Sequence, residues 1–232
     1  MRSIWRTLDA VLLRDVAAVA LGAAVTGASF GAISVGSGLP WWMPVLMSLV
    51  IFAGGSQFMA VGIVAAGGSP AAAVLAGLVL NARHLPFGLA IGDVLGKSPL
   101  ARIVGSHLLI DESTAFAMSQ KDPARARAAY WACGVSLFFS WNVGVLVGAL
   151  AGQAIGDPAT FGLDAAFPAA MLALTLPALK DATTRNAALV GAAIALATTP
   201  FLPAGVPVLL ALAGLFVFKT KKEDAKCPSP QS

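Results

Sequence analysis

The residues best able to do chemistry in this chain are ionisable side chains within apolar stretches. Arg83 and His84 interrupt one such stretch, and Asp111 and Glu112 close the next. An ionisable group at membrane depth costs roughly 2.5–3.5 kcal/mol on insertion scales, so it usually faces a cavity or a partner. We therefore take Arg83 as a candidate substrate-binding residue. The alternatives are a side chain that reaches the membrane surface and one that Asp111 neutralises.

Pro86 predicts a break in the helix that carries Arg83. Proline lacks an amide donor and clashes with the carbonyl four residues earlier, here that of Ala82. Many transporters build their substrate sites from the backbone groups of broken helices at mid-depth. We include Asn81 among the candidate substrate-binding residues of this segment, and His84 among the candidates for proton coupling or an ion pair.

Asp111 and Glu112 are adjacent, and adjacent residues on a helix point about 100° apart. We therefore expect one of them to face the interior, and we choose Asp111, which would pair with Arg83 or His107 or titrate during transport. His107 lies four residues before Asp111, which puts both on one helix face. Such a His–carboxylate pair can carry a proton at neutral pH. A solvated helix end and an ordinary hydrogen-bonded pair are the alternatives.

A second group of candidates is uncharged. Gly54 and Gly55 each disfavour a helix by about 1 kcal/mol relative to alanine, so they predict a kink in the second apolar segment. Amides freed at such a kink suit an anionic group such as a carboxylate, and Ser56 and Gln57 would add neutral donors. Ser29 in the first apolar segment could serve similarly. A kink that serves packing alone is equally compatible with these residues.

The elements that position these residues are predicted to be membrane helices. Of 232 residues, 58% are hydrophobic and 11% are charged, whereas soluble domains have about 25% charged residues. Residues 16–82 contain no Asp, Glu, Lys or Arg, and a spanning helix needs roughly 20 apolar residues. A soluble enzyme, a nucleic-acid-binding protein and a disordered protein are thereby excluded. The chain reads as an all-α, polytopic helical membrane protein.

The distribution of Lys and Arg predicts the orientation. Basic residues cluster in the N-terminus, in the 119–127 and 180–185 loops and in the C-terminal tail, and the turns at 37–41, 152–161 and 201–205 have none. By the positive-inside rule, both termini are cytoplasmic. We expect six to eight membrane segments, some of them broken or re-entrant: 16–36, 42–66, 71–92, 100–118, 128–151, 162–179, 186–200 and 205–218.

Three regions follow from this arrangement. Residues 1–15 are predicted to form a cytoplasmic amphipathic lead-in, 16–218 a single transmembrane transport domain, and 219–232 a disordered polar tail. Small residues recur at helical spacing and are typical of closely packed membrane helices. The three series are Gly27 and Gly31; Gly88, Gly92 and Gly96; and Gly144, Gly148 and Gly152.

No catalytic motif and no metal-ligand spacing of Cys and His occur in the sequence. We therefore expect no enzyme activity, no cofactor and no metal site. Because the chain has no P-loop, any transport is expected to be secondary, driven by an ion or by the substrate gradient.

Four motifs occur in order along the chain: FAGGSQF from residue 52, NARH from residue 81, DESTAF from residue 111 and GLDAAFP from residue 162. Over about residues 14–218 the series resembles the AzlC family of branched-chain amino acid permeases, the large subunits of two-component exporters. The resemblance implies export of valine, leucine, isoleucine and sometimes methionine across a bacterial inner (plasma) membrane, coupled to protons. It also implies a small hydrophobic partner subunit of the AzlD type.

A zwitterion with an apolar side chain needs an anion-binding region, a cation-binding region and an apolar pocket. Arg83 or the amides of residues 54–57 would take the carboxylate, and Asp111 the ammonium or the coupling proton. The pocket would be shaped by aromatic residues for which plain packing is the alternative: Phe52, Phe58, Trp141 and Phe167. The alternative function is a non-transporting membrane scaffold or assembly subunit, and a channel is a third. A cavity that gathers Arg83, Asp111 and Ser56 would favour transport.

Overall fold

The computed structural model describes residues 9–155, 172, 175–176 and 178–217, and within them every regular element is helical. The predicted all-α fold class is confirmed for this part of the chain. The helices are α1 (Ala10–Gly36), α2 (Trp42–Ile51), α3 (Gly54–Ala65), α4 (Pro70–Asn81), α5 (His84–Leu95), α6 (Pro99–His107), α7 (Asp111–Met118), α8 (Pro123–Ile155), α9 (Ala182–Thr198), α10 (Val206–Leu210) and α11 (Gly214–Val217), with 3₁₀ turns at Ala178–Lys180 and Ala211–Ala213.

Helices α1 and α8 pack along each other and form the centre of the fold. Both are long and apolar enough to cross a membrane. A Cβ on Gly27 would lie 2.6 Å from the carbonyl oxygen of Trp141, and in return Gly144 and Gly148 contact the α1 backbone at Ala24 and Ala28. These two glycine series therefore serve close helix packing.

The third glycine series does not act in this way. A Cβ on Gly92 would meet nothing within 4 Å, and Gly96 follows the end of α5 with a φ of 111°. Glycines at helical spacing form a packing face only where the backbone of another helix lies in contact with them.

Helix α1 begins at Ala10, ahead of the predicted span at 16–36, so the end of the expected lead-in is continuous with the first helix. Asp9 caps this helix by accepting a hydrogen bond of 2.8 Å from the amide of Leu12, and it pairs with Arg125 in the first turns of α8. The Leu12 amide and the Arg125 guanidinium lower the pKa of Asp9 below its ordinary value. Both contacts stabilise the charged carboxylate, which links the start of α1 to that of α8.

The predicted second span consists of two helices. Helix α2 ends at Ile51, Phe52 adopts a left-handed conformation with a φ of 41°, and Ala53 is also non-helical. Helix α3 then begins at Gly54. The kink predicted from the glycine pair is confirmed, and it lies immediately before the glycines.

The predicted third segment is broken beside Arg83, as Pro86 indicated. Helices α4 and α5 are bent by 48° across the break between Asn81 and His84, and together they have the length and hydropathy of one membrane span. The bend brings the most polar part of this segment to the place where its direction changes.

The fourth segment differs from the prediction. Helix α6 ends at His107 and α7 begins at Asp111, with Ile110 in an extended conformation between them. Ser113 stabilises this turn, since its Oγ donates to the carbonyl of Leu108 at 2.9 Å and accepts from the amide of Ile110 at 3.1 Å. The expected shared helix face of His107 and Asp111 is therefore wrong, because four-residue spacing aligns side chains only along an unbroken helix.

The C-terminal helices pack against one another. A Cβ on Gly191 of α9 would lie 2.6 Å from the carbonyl oxygen of Ala211. Leu209 of α10 packs against the cluster formed by Ile63 of α3 and Ala73 and Ala76 of α4, which joins the C-terminal helices to the rest of the fold. Phe167, most of the predicted segment 162–179 and the tail 219–232 lie outside the described residues.

Within the described residues, two helices could cross a membrane by length and composition, or three if the bent pair α4–α5 counts as one span. Shorter apolar helices cover Trp42–Ile51, Gly54–Ala65 and Val206–Phe216. Helix breaks thus divide several predicted segments into pieces shorter than a full span.

Candidate ligand cavity at the helix breaks

A cavity of about 340 Å³ lies where the broken helices meet α1 and α8. Its walls come from the middle of α1, the start of α3, the α4–α5 break, the start of α7 and the middle of α8. The described lining residues are Val19, Gly22, Ala23, Thr26, Phe52, Ala53, Gly54, Gly55, Phe58, Arg83, His84, Ile110, Asp111, Glu112, Leu137 and Trp141.

An ion pair crosses one wall of the cavity. A terminal guanidinium nitrogen of Arg83 lies 2.9 Å from Oδ2 of Asp111, and the two side chains are 31% and 24% exposed. The pair joins the α4–α5 break to the first residue of α7 and compensates both charges. The predicted pairing of Arg83 with Asp111 is confirmed. The Nε of Arg83 is also buried, and it has no hydrogen-bond partner.

Glu112 and His84 complete the ionisable groups of the cavity. Both Asp111 and Glu112 line it, and the expectation that only one of them squarely faces the interior stays a prediction. Side chains in the first turn of a helix can extend beyond the helix end as well as sideways. The N-terminal end of α7 faces the cavity. Nε2 of His84 is buried with no hydrogen-bond partner.

The polar feature of the wall opposite these ionisable groups is the N-terminal end of α3. No side chain caps this helix, and its first residues, Gly54 and Gly55, line the cavity. The first amides of a helix lack intrahelical partners and carry the positive end of its dipole. A Cβ on Gly54 would lie 2.7 Å from Cη2 of Trp141, so the glycine allows the indole ring to cover the helix start.

The remaining wall is apolar and largely aromatic. Phe58 lies edge-on to Phe30 with ring centroids 5.1 Å apart, and Trp141 stacks on Phe30 at 6.1 Å. Phe52 lies edge-on to Phe138 at 5.1 Å. The structure thus places Phe52, Phe58 and Trp141 of the four predicted pocket residues in the cavity wall.

Sequence reasoning missed the contribution of α1 to the cavity. Val19, Gly22, Ala23 and Thr26 follow the three- and four-residue spacing of one helix face. That spacing was the available signal, but the residues are small and uncharged and look like ordinary packing residues.

Several predicted site residues do not line the cavity. Ser56 donates to the carbonyl of Ala53 at 2.9 Å, and Ser29 donates to the carbonyl of Val25 at 3.1 Å. Gln57 is fully buried with both amide atoms unpartnered, and Oδ1 of Asn81 is also buried and unpartnered. The His107 ring lies 5.6 Å from that of Phe138. Substrate or proton roles for these residues stay predictions.

No metal site forms among the residues described here, since no three side chains of His, Cys, Asp and Glu come together as possible ligands. The chemistry available in the cavity is therefore charge compensation, hydrogen bonding and apolar contact.

Long apolar helices around short broken ones, with ionisable groups meeting at a cavity between them, define a helical membrane protein with a candidate ligand site. The chain belongs to the AzlC protein family, which matches residues 18–155.

Relatives with curated names agree with this assignment. The chain is 26% identical over 203 residues to the "Branched-chain amino acid transport protein AzlC" of Bacillus subtilis (strain 168), an alignment that covers 84% of this chain and 78% of the relative. It is 27% identical over 179 residues to an uncharacterized membrane protein of Helicobacter pylori (strain 26695), covering 76% and 78% of the two chains. No solved structure gives a significant match.

Proposed function

We propose that this protein is the large subunit of a secondary-active exporter of branched-chain amino acids. The observation that carries the proposal is the cavity, which combines an ionised wall, a free helix N-terminus and an apolar aromatic wall. A branched-chain amino acid presents two opposite charges and an aliphatic side chain, so its chemistry matches these three surfaces. The volume of about 340 Å³ falls within the range of about 300–1,000 Å³ that is typical of small-ligand pockets.

The substrate class is supported by the name of the Bacillus subtilis relative, a branched-chain amino acid transport protein. Valine, leucine and isoleucine are the proposed substrates, and methionine is a further one because it is similarly apolar. Export as the direction follows from the family resemblance described above.

Proton coupling is part of the proposal because titratable groups stand in the cavity itself. Asp111, Glu112 and His84 line the space that the substrate would occupy, so a proton and a substrate could compete for the same charges. We propose a multi-pass protein of the bacterial inner membrane with both termini in the cytoplasm and one transport domain over 16–218. Its proposed partner is a small hydrophobic subunit of the AzlD type.

The test is efflux from proteoliposomes that contain the chain and its small partner subunit. Vesicles preloaded with labelled leucine or valine should lose label faster than vesicles without protein, and a proton gradient should change the rate. Efflux equal to that of protein-free vesicles, with and without the gradient, would contradict the proposal.

A scaffold function predicts polar groups that are scattered over the helices. The Arg83–Asp111 pair and Glu112 instead converge on one cavity, although Ser56 does not. This arrangement favours a ligand site over a purely structural role. A binding titration with leucine, valine, methionine and lysine separates the two functions, because a scaffold should bind none of them.

A further inference from the structure

We infer that Glu112 is the residue that binds the ammonium group of the substrate, and that the carboxylate lies at the start of α3. Arg83 then serves as the counterion of Asp111 rather than as a direct ligand of the substrate. The inference rests on the proposed function and gives the bound substrate a defined orientation.

The carboxylates of the cavity outnumber its guanidinium groups. Arg83 and Asp111 compensate each other at 2.9 Å. Glu112 lines the same cavity, is partly exposed, and forms no ion pair or side-chain hydrogen bond with another described residue. Glu112 is therefore the carboxylate of the described lining that has no cationic partner, and an ammonium group could form a charge-assisted hydrogen bond with it.

The wall at the start of α3 offers hydrogen-bond donors. The uncapped start of α3 offers the amides of Gly54 and Gly55, and helix N-termini bind carboxylates well. The benzo edge of the Trp141 ring lies beside Gly54 and adds an apolar surface. This wall has backbone donors and no acid, whereas the Glu112 wall has an unpaired acid.

The cavity lining also favours some amino acids over others. Between these two walls the cavity is lined by Phe52, Phe58 and Leu137, which suit an aliphatic side chain. A lysine side chain would bring a second positive charge, and the only other carboxylate of the described lining, Asp111, is already paired. Neutral aliphatic amino acids are therefore expected to bind better than cationic ones.

The test compares three ligands that share one carbon skeleton: leucine, 3-methylbutylamine without the carboxylate, and 4-methylpentanoate without the ammonium. Binding is measured on the purified full-length protein, as wild type and as Glu112→Gln. The matched control is Asp93→Asn, which neutralises an exposed acid near the end of α5. We expect Glu112→Gln to weaken the binding of leucine and of 3-methylbutylamine at least about tenfold, the loss typical of a hydrogen bond to a charged group. The variant should bind 4-methylpentanoate at least as well as the wild type does.

The outcomes separate the inference from the proposed function. Equal leucine affinity in wild type and Glu112→Gln overturns the inference and leaves the proposed function standing. Glu112-dependent binding of the amine without leucine binding supports the cation site but contradicts the transport proposal, and binding of no ligand overturns both. If Glu112→Gln does not fold, competition on the wild type decides: displacement of leucine by both 3-methylbutylamine and 4-methylpentanoate supports the inference, and failure of either compound to displace leucine overturns it.

Discussion

At the scale of single residues, the Arg83–Asp111 pair explains how a guanidinium is tolerated inside an apolar segment. The helix that carries Arg83 bends by 48°, and the bend places the side chain within 2.9 Å of a carboxylate on another helix. The two charges compensate each other, and the cavity beside them leaves both partly accessible. The pair therefore works as a link between the α4–α5 break and the start of α7.

Removing one charge of this pair should lower the free energy of unfolding more than removing both charges does. Arg83→Ala leaves Asp111 uncompensated, so we expect a loss of stability between about 1 kcal/mol, the value for exposed pairs, and about 3–5 kcal/mol, the value for buried pairs. The double variant Arg83→Ala/Asp111→Asn should be more stable than Arg83→Ala alone. Thermal unfolding of the purified variants measures the difference.

The control for this cycle is Arg14→Ala, which removes an exposed arginine that pairs with its neighbour Asp15. It should change stability little, because surface ion pairs contribute at most about 1 kcal/mol. In the efflux assay, Arg83→Ala should abolish export while membrane insertion stays intact. Export that survives would show that the ion pair is dispensable for transport.

At the scale of helices, the contact between α1 and α8 depends on glycines that let two backbones touch. Any side chain on Gly148 would run into the carbonyl of Ala28, and backbone atoms cannot rotate away. This contact also fixes the cavity, because α1 and α8 provide two of its walls.

Gly148→Ala should therefore destabilise the protein by about 1–3 kcal/mol, the usual cost of overpacking. The control is Gly62→Ala on α3, where the added methyl group meets nothing within 4 Å. By helix propensity alone that substitution should stabilise by up to about 1 kcal/mol. Melting temperatures that change equally for the two variants would contradict close packing at Gly148.

At the scale of the whole molecule, the proposed orientation places the 37–41 turn outside the cell and the 119–127 loop inside. Ser37 and Ser119 are exposed residues of these two regions, and Cys133 is fully buried. Two serine-to-cysteine variants can therefore report the two sides of the membrane, once Cys227 is replaced by serine.

A membrane-impermeant maleimide should label Ser37→Cys in intact cells and Ser119→Cys only after permeabilisation. The physical basis is the positive-inside rule, since the 119–127 loop carries Lys121, Arg125 and Arg127. The parent protein without Cys227 should stay unlabelled in both conditions. Labelling of Ser119→Cys in intact cells would reverse the proposed orientation of α8.

The class of protein and the positions of two helix breaks are predictable from the amino-acid sequence. The apolar composition is a sum over individual residues and needs no knowledge of the fold. Pro86 and the Gly54–Gly55 pair change the backbone conformation at their own positions, so their effect is also visible in the local sequence. The sequence also indicated Arg83 as a partner of Asp111, with His107 as the other candidate, because ionisable residues are few in this part of the chain.

The identity of the polar residues that reach the cavity depends on long-range packing and is not predictable from local sequence. Ser113 and the turn at 108–110 separate His107 from Asp111, and that turn packs on α8, where Gly134 leaves room for Leu108. Because α7 starts anew at Asp111, its first turn points at the cavity and brings Glu112 with it. The direction of a short helix depends on contacts with residues distant in sequence, and these contacts cannot be inferred from helical periodicity.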